Sequence, residues 1–318
     1  MAMRAAEGIK MKTSGLSRLL RASARFVAGG LLLAMTQQAA LAGQLSRAEI
    51  QNDEHNLGRE AVLATQWQPV QSSQVRLIAG RRGADGQEIV AGLQMMLQDG
   101  WKTYWRNPGD AGGVPPELDW TGSENVESAT LLYPAPRRFK DRSGETIGYE
   151  GSVVLPVLVK PVDPDRPVVL NPGINFGLCG DICIPVQQKL TLEVPREAAP
   201  GLPVALSQAL ESIPRHGKDI RPGDPKLVHH EVKLNGDQPR IVLDVDFGQE
   251  PEAGDVFAEA SDGIYLPMPQ PKAGESRTTR RFEIDLLAAN DPAELKGKTL
   301  RVTMVGAGGA SEASLYID

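Results

Sequence analysis

The 318-residue chain has only two cysteines, four histidines and 5% aromatic residues. Two thiols cannot build a disulfide-rich scaffold or a four-thiolate zinc site. Basic residues are in deficit, 34 against 40 acidic, for a formal charge of −6. That balance lacks the basic face a nucleic-acid partner needs, so no nucleic-acid binding is expected. No apolar run approaches the ~20 residues of a membrane-spanning helix. No serine sits in an elbow motif and no carboxylate pair stands out, which leaves hydrolase chemistry without a foothold. Gly306-Ala-Gly-Gly309 lacks the lysine and the following helix of a phosphate-binding loop and reads as a turn.

What the chain does have is both cysteines in one five-residue stretch, Cys179-Gly-Asp-Ile-Cys183. The N-terminus sets the compartment in which they work. Lys10, Lys12, Arg18, Arg21 and Arg25 form a basic region, followed by a ten-residue apolar stretch from Phe26 to Met35. Ala40-Leu41-Ala42 before Gly43 is a small-x-small cleavage signal. Residues 1–42 therefore read as a Sec-type signal peptide, with Met11 a plausible alternative start. They hold six of the 34 basic residues and one of the 40 acidic ones, so the remainder carries a charge of −11. After cleavage the protein is expected to be soluble, not membrane-spanning, and outside the cytoplasm, where a disulfide can persist.

Residues 43–65 are polar and read as a flexible lead-in. From 66 to 197, short β-like runs alternate with Gly- and Pro-rich punctuation. The expected strands are Gln74–Ile78, Glu88–Leu97, Leu118–Trp120, Ser128–Tyr133, Val153–Val159, Val168–Asn175 and Lys189–Val194. Pro156 places Val153–Val159 at an edge or a bulge. Residues 198–226 read as a connector, with a short helix over Pro203–Ile213. A second β-rich segment, 227–318, follows, with strands at Leu227–Leu234, Arg240–Phe247, Asp255–Ala260, Arg281–Leu287, Leu300–Val305 and Ser314–Ile317. The fold class is all-β: two antiparallel β-sandwich domains joined by a helical, Pro-rich connector.

Cys179 and Cys183 can reach disulfide distance if the loop between them curls. Closing five residues stabilises by only about 2 kcal/mol on the loop-entropy account. The spacing leaves three readings open: a redox pair, a structural staple or a metal site. Soft ligands select Cu(I), so a copper site at the two thiols with a nearby methionine is chemically sensible. Nothing else calls for a metal or a cofactor. His229 and His230 fall on opposite faces of a strand and read as solvated surface. Met95-Met96 splits the same way. Asp181, between the cysteines, raises thiol pKa by like-charge repulsion. No lysine lies within the loop to counter it, although Arg137, Arg138 and Arg142 are candidates to approach in space.

The segment Gly100-Trp-Lys-Thr-Tyr-Trp-Arg-Asn-Pro-Gly-Asp110 holds two of the four tryptophans. Trp101 and Trp105 share one face of a strand and Tyr104 points the other way. Asn107-Pro108-Gly109-Asp110 is a strong turn. The aromatics read either as a core plug or as a wall shielding a redox pair.

Three stretches carry a family resemblance: DGWKTYWRNPGDAGGVPPELDW (99–120), YPAPRRF…GETIGYEGSVVLPV (133–157) and NFGLCGDICIPV (175–186). Residues ~66–197 resemble the N-terminal periplasmic domain of the DsbD thiol:disulfide interchange family, most of all its ScsB-like branch, linked to copper tolerance. The second segment is similar to the second β-domain of the ScsB-type ectodomain. The resemblance implies an immunoglobulin-like sandwich with a redox-active pair, possessing no cofactor. It implies electrons taken from a transmembrane thiol reductase and passed to thioredoxin-like periplasmic partners, as a protein-disulfide reductase component. Carried across, Cys179 is the attacking cysteine and Cys183 the resolving one. The family's cap loop corresponds to about Lys140–Gly144, with Arg142 or Ser143 where DsbD has an aromatic and Phe139 close by. Trp101, Tyr104, Trp105, Phe139, Arg142, Tyr149 and Asp181 are the expected surroundings of the pair. The membrane and thioredoxin-like domains of the family have no counterpart in the sequence, so a separate membrane protein is expected to supply electrons. The alternative is an exported binding module with a structural disulfide or a Cu(I) site.

Overall fold

The run Val153–Val159 is apolar at consecutive positions because the strand containing it is buried on both faces over Val153–Val157, while Leu158 is exposed. The computed structural model describes residues 63–82, 88–141, 144–198, 200–248, 250–272, 277–289 and 291–318. The expected signal peptide, most of the lead-in and Arg142 lie outside the described residues.

The first sheet runs Leu63–Ala64, Ser73–Arg82, Glu88–Leu97, Ser152–Pro161, Val126–Leu131, with Gln68–Val70 also on Ser73–Arg82. Its inner face supplies Val75, Leu77, Leu93, Met95, Leu155 and Val157 to the main core. Its outer face is covered by the helix Val204–Glu211, whose Leu206 and Ala209 pack on Ile78, Val90 and Val154. A sheet covered on both sides needs continuous apolar runs rather than alternation. The expected connector is thus partly a packed element.

Pro156 is not at an edge. Ser152–Pro161 pairs with strands on both sides, with Pro156 opposite Gly92. The ladder to Val126–Leu131 begins only at Val157, and the Pro156 carbonyl accepts from Leu132 N at 2.7 Å. The missing N–H therefore falls where the neighbouring strand ends, so an interior strand tolerates the proline.

The second sheet runs Cys183–Lys189, Gly173–Cys179, Lys102–Tyr104, Gly144–Glu150, Arg137–Asp141, with Glu117–Asp119 also on Gly173–Cys179. Its inner face adds Ile147, Tyr149, Ile174, Phe176 and Leu178 to the same core. The two sheets form the first antiparallel sandwich.

Two four-stranded sheets form the second. One contains Arg215–His216, Gly309–Tyr316, Thr299–Gly306 and Asp255–Ala260; the other Lys226–Lys233, Arg240–Asp246, Thr279–Asp285 and Gln270–Lys272. Ile241, Leu243, Val245, Phe282 and Ile284 face Val256, Leu300, Val302 and Met304 in its core. Gly306 and Gly309 are the paired ends of a hairpin turn, as the sequence predicts. Among the described residues, every strand pair is antiparallel except Arg215–His216 on Gly309–Tyr316. Among the described residues no helix is long and apolar enough to cross a membrane.

The described residues belong to one compact unit. Phe257 and Met268, from the second β-rich segment, are buried in the core of the first sandwich. Trp105 meets Phe257 with ring centroids 5.8 Å apart. Arg106 extends to Glu259 and Glu312 at 2.7 and 2.6 Å, and Arg138 to Asp255 at 2.8 Å.

Candidate functional site

Gly173–Cys179 and Cys183–Lys189 are the arms of a hairpin with seven consecutive residue pairs, and the last pair is Cys179 with Cys183. The three-residue loop Gly180–Ile182 brings the two Cα atoms within 4.1 Å, and a disulfide joins them. The loop is closed by Gly180 N–H donating to the Ile182 carbonyl at 3.0 Å. The two sulfurs have unlike surroundings. Cys179 is 2% exposed, because its strand is flanked on both sides. Cys183 is exposed, at the start of an edge strand.

Register places the neighbours. Lys102 is opposite Cys179 on one side and opposite Glu150 on the other. Cys183, Cys179, Lys102 and Glu150 therefore form one row across the sheet, and paired residues direct their side chains to the same face. Tyr104, two residues on, shares that face. Its hydroxyl lies 3.3 Å from Cys183 Sγ. Its ring is wedged between two glycines: a β-carbon on Gly113 would sit 2.2 Å from it, and one on Gly177 2.7 Å. Any larger residue at either position would push the phenol off the sulfur.

Segment 107–116 folds back over this face. Gly177 N–H donates to the Val114 carbonyl at 2.8 Å, and the Tyr133 hydroxyl to the Pro116 carbonyl at 2.7 Å. Burial pushes the Tyr133 phenol up to about 12. The segment is also tied to the second sandwich, since Asp110 accepts from Met268 N and from the Tyr265 hydroxyl, both at 3.1 Å. Burial raises the Asp110 carboxyl above its usual range.

The remaining expected surroundings divide. Trp101 lies against the cysteine loop; a β-carbon on Gly180 would be 3.1 Å from its indole. Asp181 is exposed at the loop tip. Phe139 has the Lys102 ammonium 5.6 Å from its ring centre and the Arg137 guanidinium at 5.9 Å. Trp105 turns into the core towards Phe257. Tyr149 also faces the core, where its hydroxyl donates to the Pro134 carbonyl at 2.8 Å. Burial holds that phenol well above its ordinary pKa. These two side chains support the site from beneath. Arg142, expected in the cap, lies outside the described residues. Arg138 is committed to Asp255 and Glu145.

Lys102 is the site residue that sequence reasoning missed. It is 9% exposed and the only buried lysine among the described residues. Its one sequence signal was its place two residues before Tyr104. His229 and His230 are both exposed, Met95 is buried and Met96 is 46% exposed. Among the described residues no three His, Cys, Asp or Glu side chains gather as a metal site would require.

Residues 73–195 match the family described as thiol:disulfide interchange protein DsbD, N-terminal. The structure is also similar to the N-terminal periplasmic domain of ScsB from Proteus mirabilis, with a TM-score of 0.62. Identity is 24%, over 80% of this chain and 98% of that one. The likeness speaks for the fold and extends well beyond residues 73–195. No curated protein matches the chain. The segment carrying the cysteine pair is thus the part of the chain that matches the DsbD N-terminal family, over residues 73–195.

Proposed function

We propose that the protein is exported to the periplasm by residues 1–42 and passes electrons through the Cys179–Cys183 pair, between a membrane thiol reductase and thioredoxin-like proteins. The observation that carries this reading is the asymmetry of the bridge: one sulfur belongs to an exposed residue at a sheet edge, the other to a buried one in the next strand. Thiol–disulfide exchange needs one sulfur open to an incoming thiolate and one that leaves. This favours the reverse of the order implied by the resemblance. A partner thiolate attacks Cys183 Sγ, a mixed disulfide forms there, and the electron pair of the broken bond stays on Cys179 as a thiolate. A second partner thiolate then attacks its own mixed-disulfide sulfur and releases Cys183. The pair is now reduced and the partner oxidised. Run backwards, Cys183 attacks a substrate disulfide and Cys179 resolves the intermediate.

On this reading the second sandwich holds the strand and the covering segment of the site through Arg106 and Asp110. Single-cysteine trapping tests the proposal. Cys179→Ser should accumulate a mixed disulfide at Cys183 with a thioredoxin-like periplasmic protein, and Cys183→Ser should accumulate far less. A wild-type potential well below about −300 mV, the range of inert structural bridges, would argue for the staple instead.

A further inference from the structure

Only three charged residues are buried among the described ones: Arg81, Lys102 and Asp224. Arg81 is bound by the Pro195 carbonyl and Asp224 by Arg215, and both lie in the structural frame. Lys102 alone stands in the cysteine row. Burying an ammonium costs free energy, because it gives up hydration. The same low dielectric makes that charge act strongly on its neighbour.

Directly opposed residues hold their Cβ atoms about 4.5–5.5 Å apart, so the Lys102 and Cys179 side chains leave the sheet side by side. The other charged or titratable groups facing Cys179 can be named from each element around it. Asp181 is exposed on the loop. Glu150 is tied to Arg137 at 2.5 Å. Tyr104 directs its hydroxyl to Cys183. The buried cation adjacent in register is Lys102.

We infer that the Lys102 ammonium stabilises the Cys179 thiolate set free when the bridge opens, and so makes Cys179 the leaving sulfur. The inference deepens the exchange role proposed above and rests on it. In the step itself, the partner thiolate bonds to Cys183 Sγ and the S–S bond breaks. The negative charge that entered with the partner then resides on Cys179, beside the lysine. The proton Cys179 would otherwise require is not needed at that moment.

The test uses the full chain with Cys183→Ser, which leaves Cys179 the only cysteine. Its ionisation is followed by the Cβ chemical shift of isotope-labelled cysteine against pH, a signal independent of reagent access. Lys102→Met should raise the midpoint by about one pH unit or more, as expected for loss of an adjacent cation. Lys102→Arg should stay within about 0.3 unit of the parent, since the charge is kept. In the chain with both cysteines, Lys102→Met should slow reduction by a small thiol at pH 7 about tenfold, because a less stable thiolate leaves more slowly. An unchanged midpoint in Lys102→Met, or an equal shift in Lys102→Arg, overturns the inference. Should Lys102→Met prevent folding, Lys102→Gln carries the same comparison. The two failures are separable. If exchange with thioredoxin-like proteins is absent but the midpoint shift is present, the relay reading falls. If exchange is present and the shift absent, the role of Lys102 falls.

Discussion

Replacing Arg106 with methionine removes the guanidinium where the site strand meets the second sandwich. Arg106 Nε and Nη2 donate to Glu259 and Glu312, Nη2 also to Thr303 at 3.2 Å, and the group stacks 4.2 Å from the Trp105 ring centre. All three ionised side chains are 19% exposed. Methionine keeps most of the packing volume but leaves two carboxylates without their shared cation. Breaking such a buried pair costs about 3–5 kcal/mol, and the lost stacking adds about 0.5–1. Arg301 still reaches Glu312 at 3.4 Å and offsets part of the loss. The expected total is therefore about 3–5 kcal/mol, a fifth or more of a typical folding free energy of ~5–15. Arg137→Met is the control: Arg137 and Glu150 are 70% and 50% exposed, and such surface pairs contribute under about 1 kcal/mol. Urea unfolding of the oxidised proteins at pH 7 measures both, with equal m-values required for the comparison. Adding Glu259→Gln and Glu312→Gln to Arg106→Met should recover most of the loss, because neutral amides tolerate burial better than lone carboxylates. If Arg106→Met costs no more than Arg137→Met, the contact between sandwiches is not held by this charge cluster and the reasoning fails.

Tyr104→Phe removes the hydroxyl facing Cys183 Sγ, and in a Cys179→Ser chain it should raise the Cys183 midpoint by about one pH unit, since hydrogen bonds to a charged acceptor are the stronger kind. No movement of that midpoint would show that the contact does not extend to the reduced form. Gly177→Ala puts a methyl group 2.7 Å from the Tyr104 ring, so it should shift the same midpoint in the same direction and destabilise by about 1–3 kcal/mol; loss of stability without the shift would mean that the ring moved but not the hydroxyl. Asp224 is held below the ordinary carboxylate pKa by hydrogen bonds from the Arg215 side chain and from Arg221 N. A depressed folded-state pKa stabilises above the unfolded value of about 3.9 and is lost as pH falls through the folded one. The stability gap between wild type and Asp224→Asn should therefore be full near neutrality and shrink below pH ~4, and a gap constant down to pH ~2 would contradict this.

Strands with strong apolar signals were legible from sequence. Glu88–Leu97 and Asp255–Ala260 have the bounds their patterns predict. The site strands were harder. Lys102–Tyr104 is three residues long, too short for a periodic signal, and the aromatics in and around it read either as a plug or as a wall. Arg137–Asp141 (RRFKD) and Gly144–Glu150 (GETIGYE) lack apolar alternation because charged side chains from their outer face and from Arg138 are used in ion pairs. Cys183–Lys189 is an edge strand, polar on alternate positions and interrupted by Pro185. The cysteine pair and Tyr104 could be named from the chain alone. Lys102 could not, because its meaning depends on register with a residue 77 positions away. Trp105 and Tyr149 were read as neighbours of the sulfurs since sequence shows that aromatics are near, not which side of a sheet they take.

The ladder that ends at the cysteines has a consequence for turnover. Six residue pairs, from Gly173 with Lys189 to Leu178 with Ile184, already hold the two chains opposite each other before any sulfur bond is counted. Phe176 and Leu178 anchor one arm in the core. Opening the bridge thus releases almost no chain freedom, and closing it imposes almost none. The hairpin can lose and regain its covalent link many times while its backbone keeps one shape. On the exchange role proposed above, electrons would then enter and leave without a mechanical cycle, and no conformational memory of the last transfer would remain.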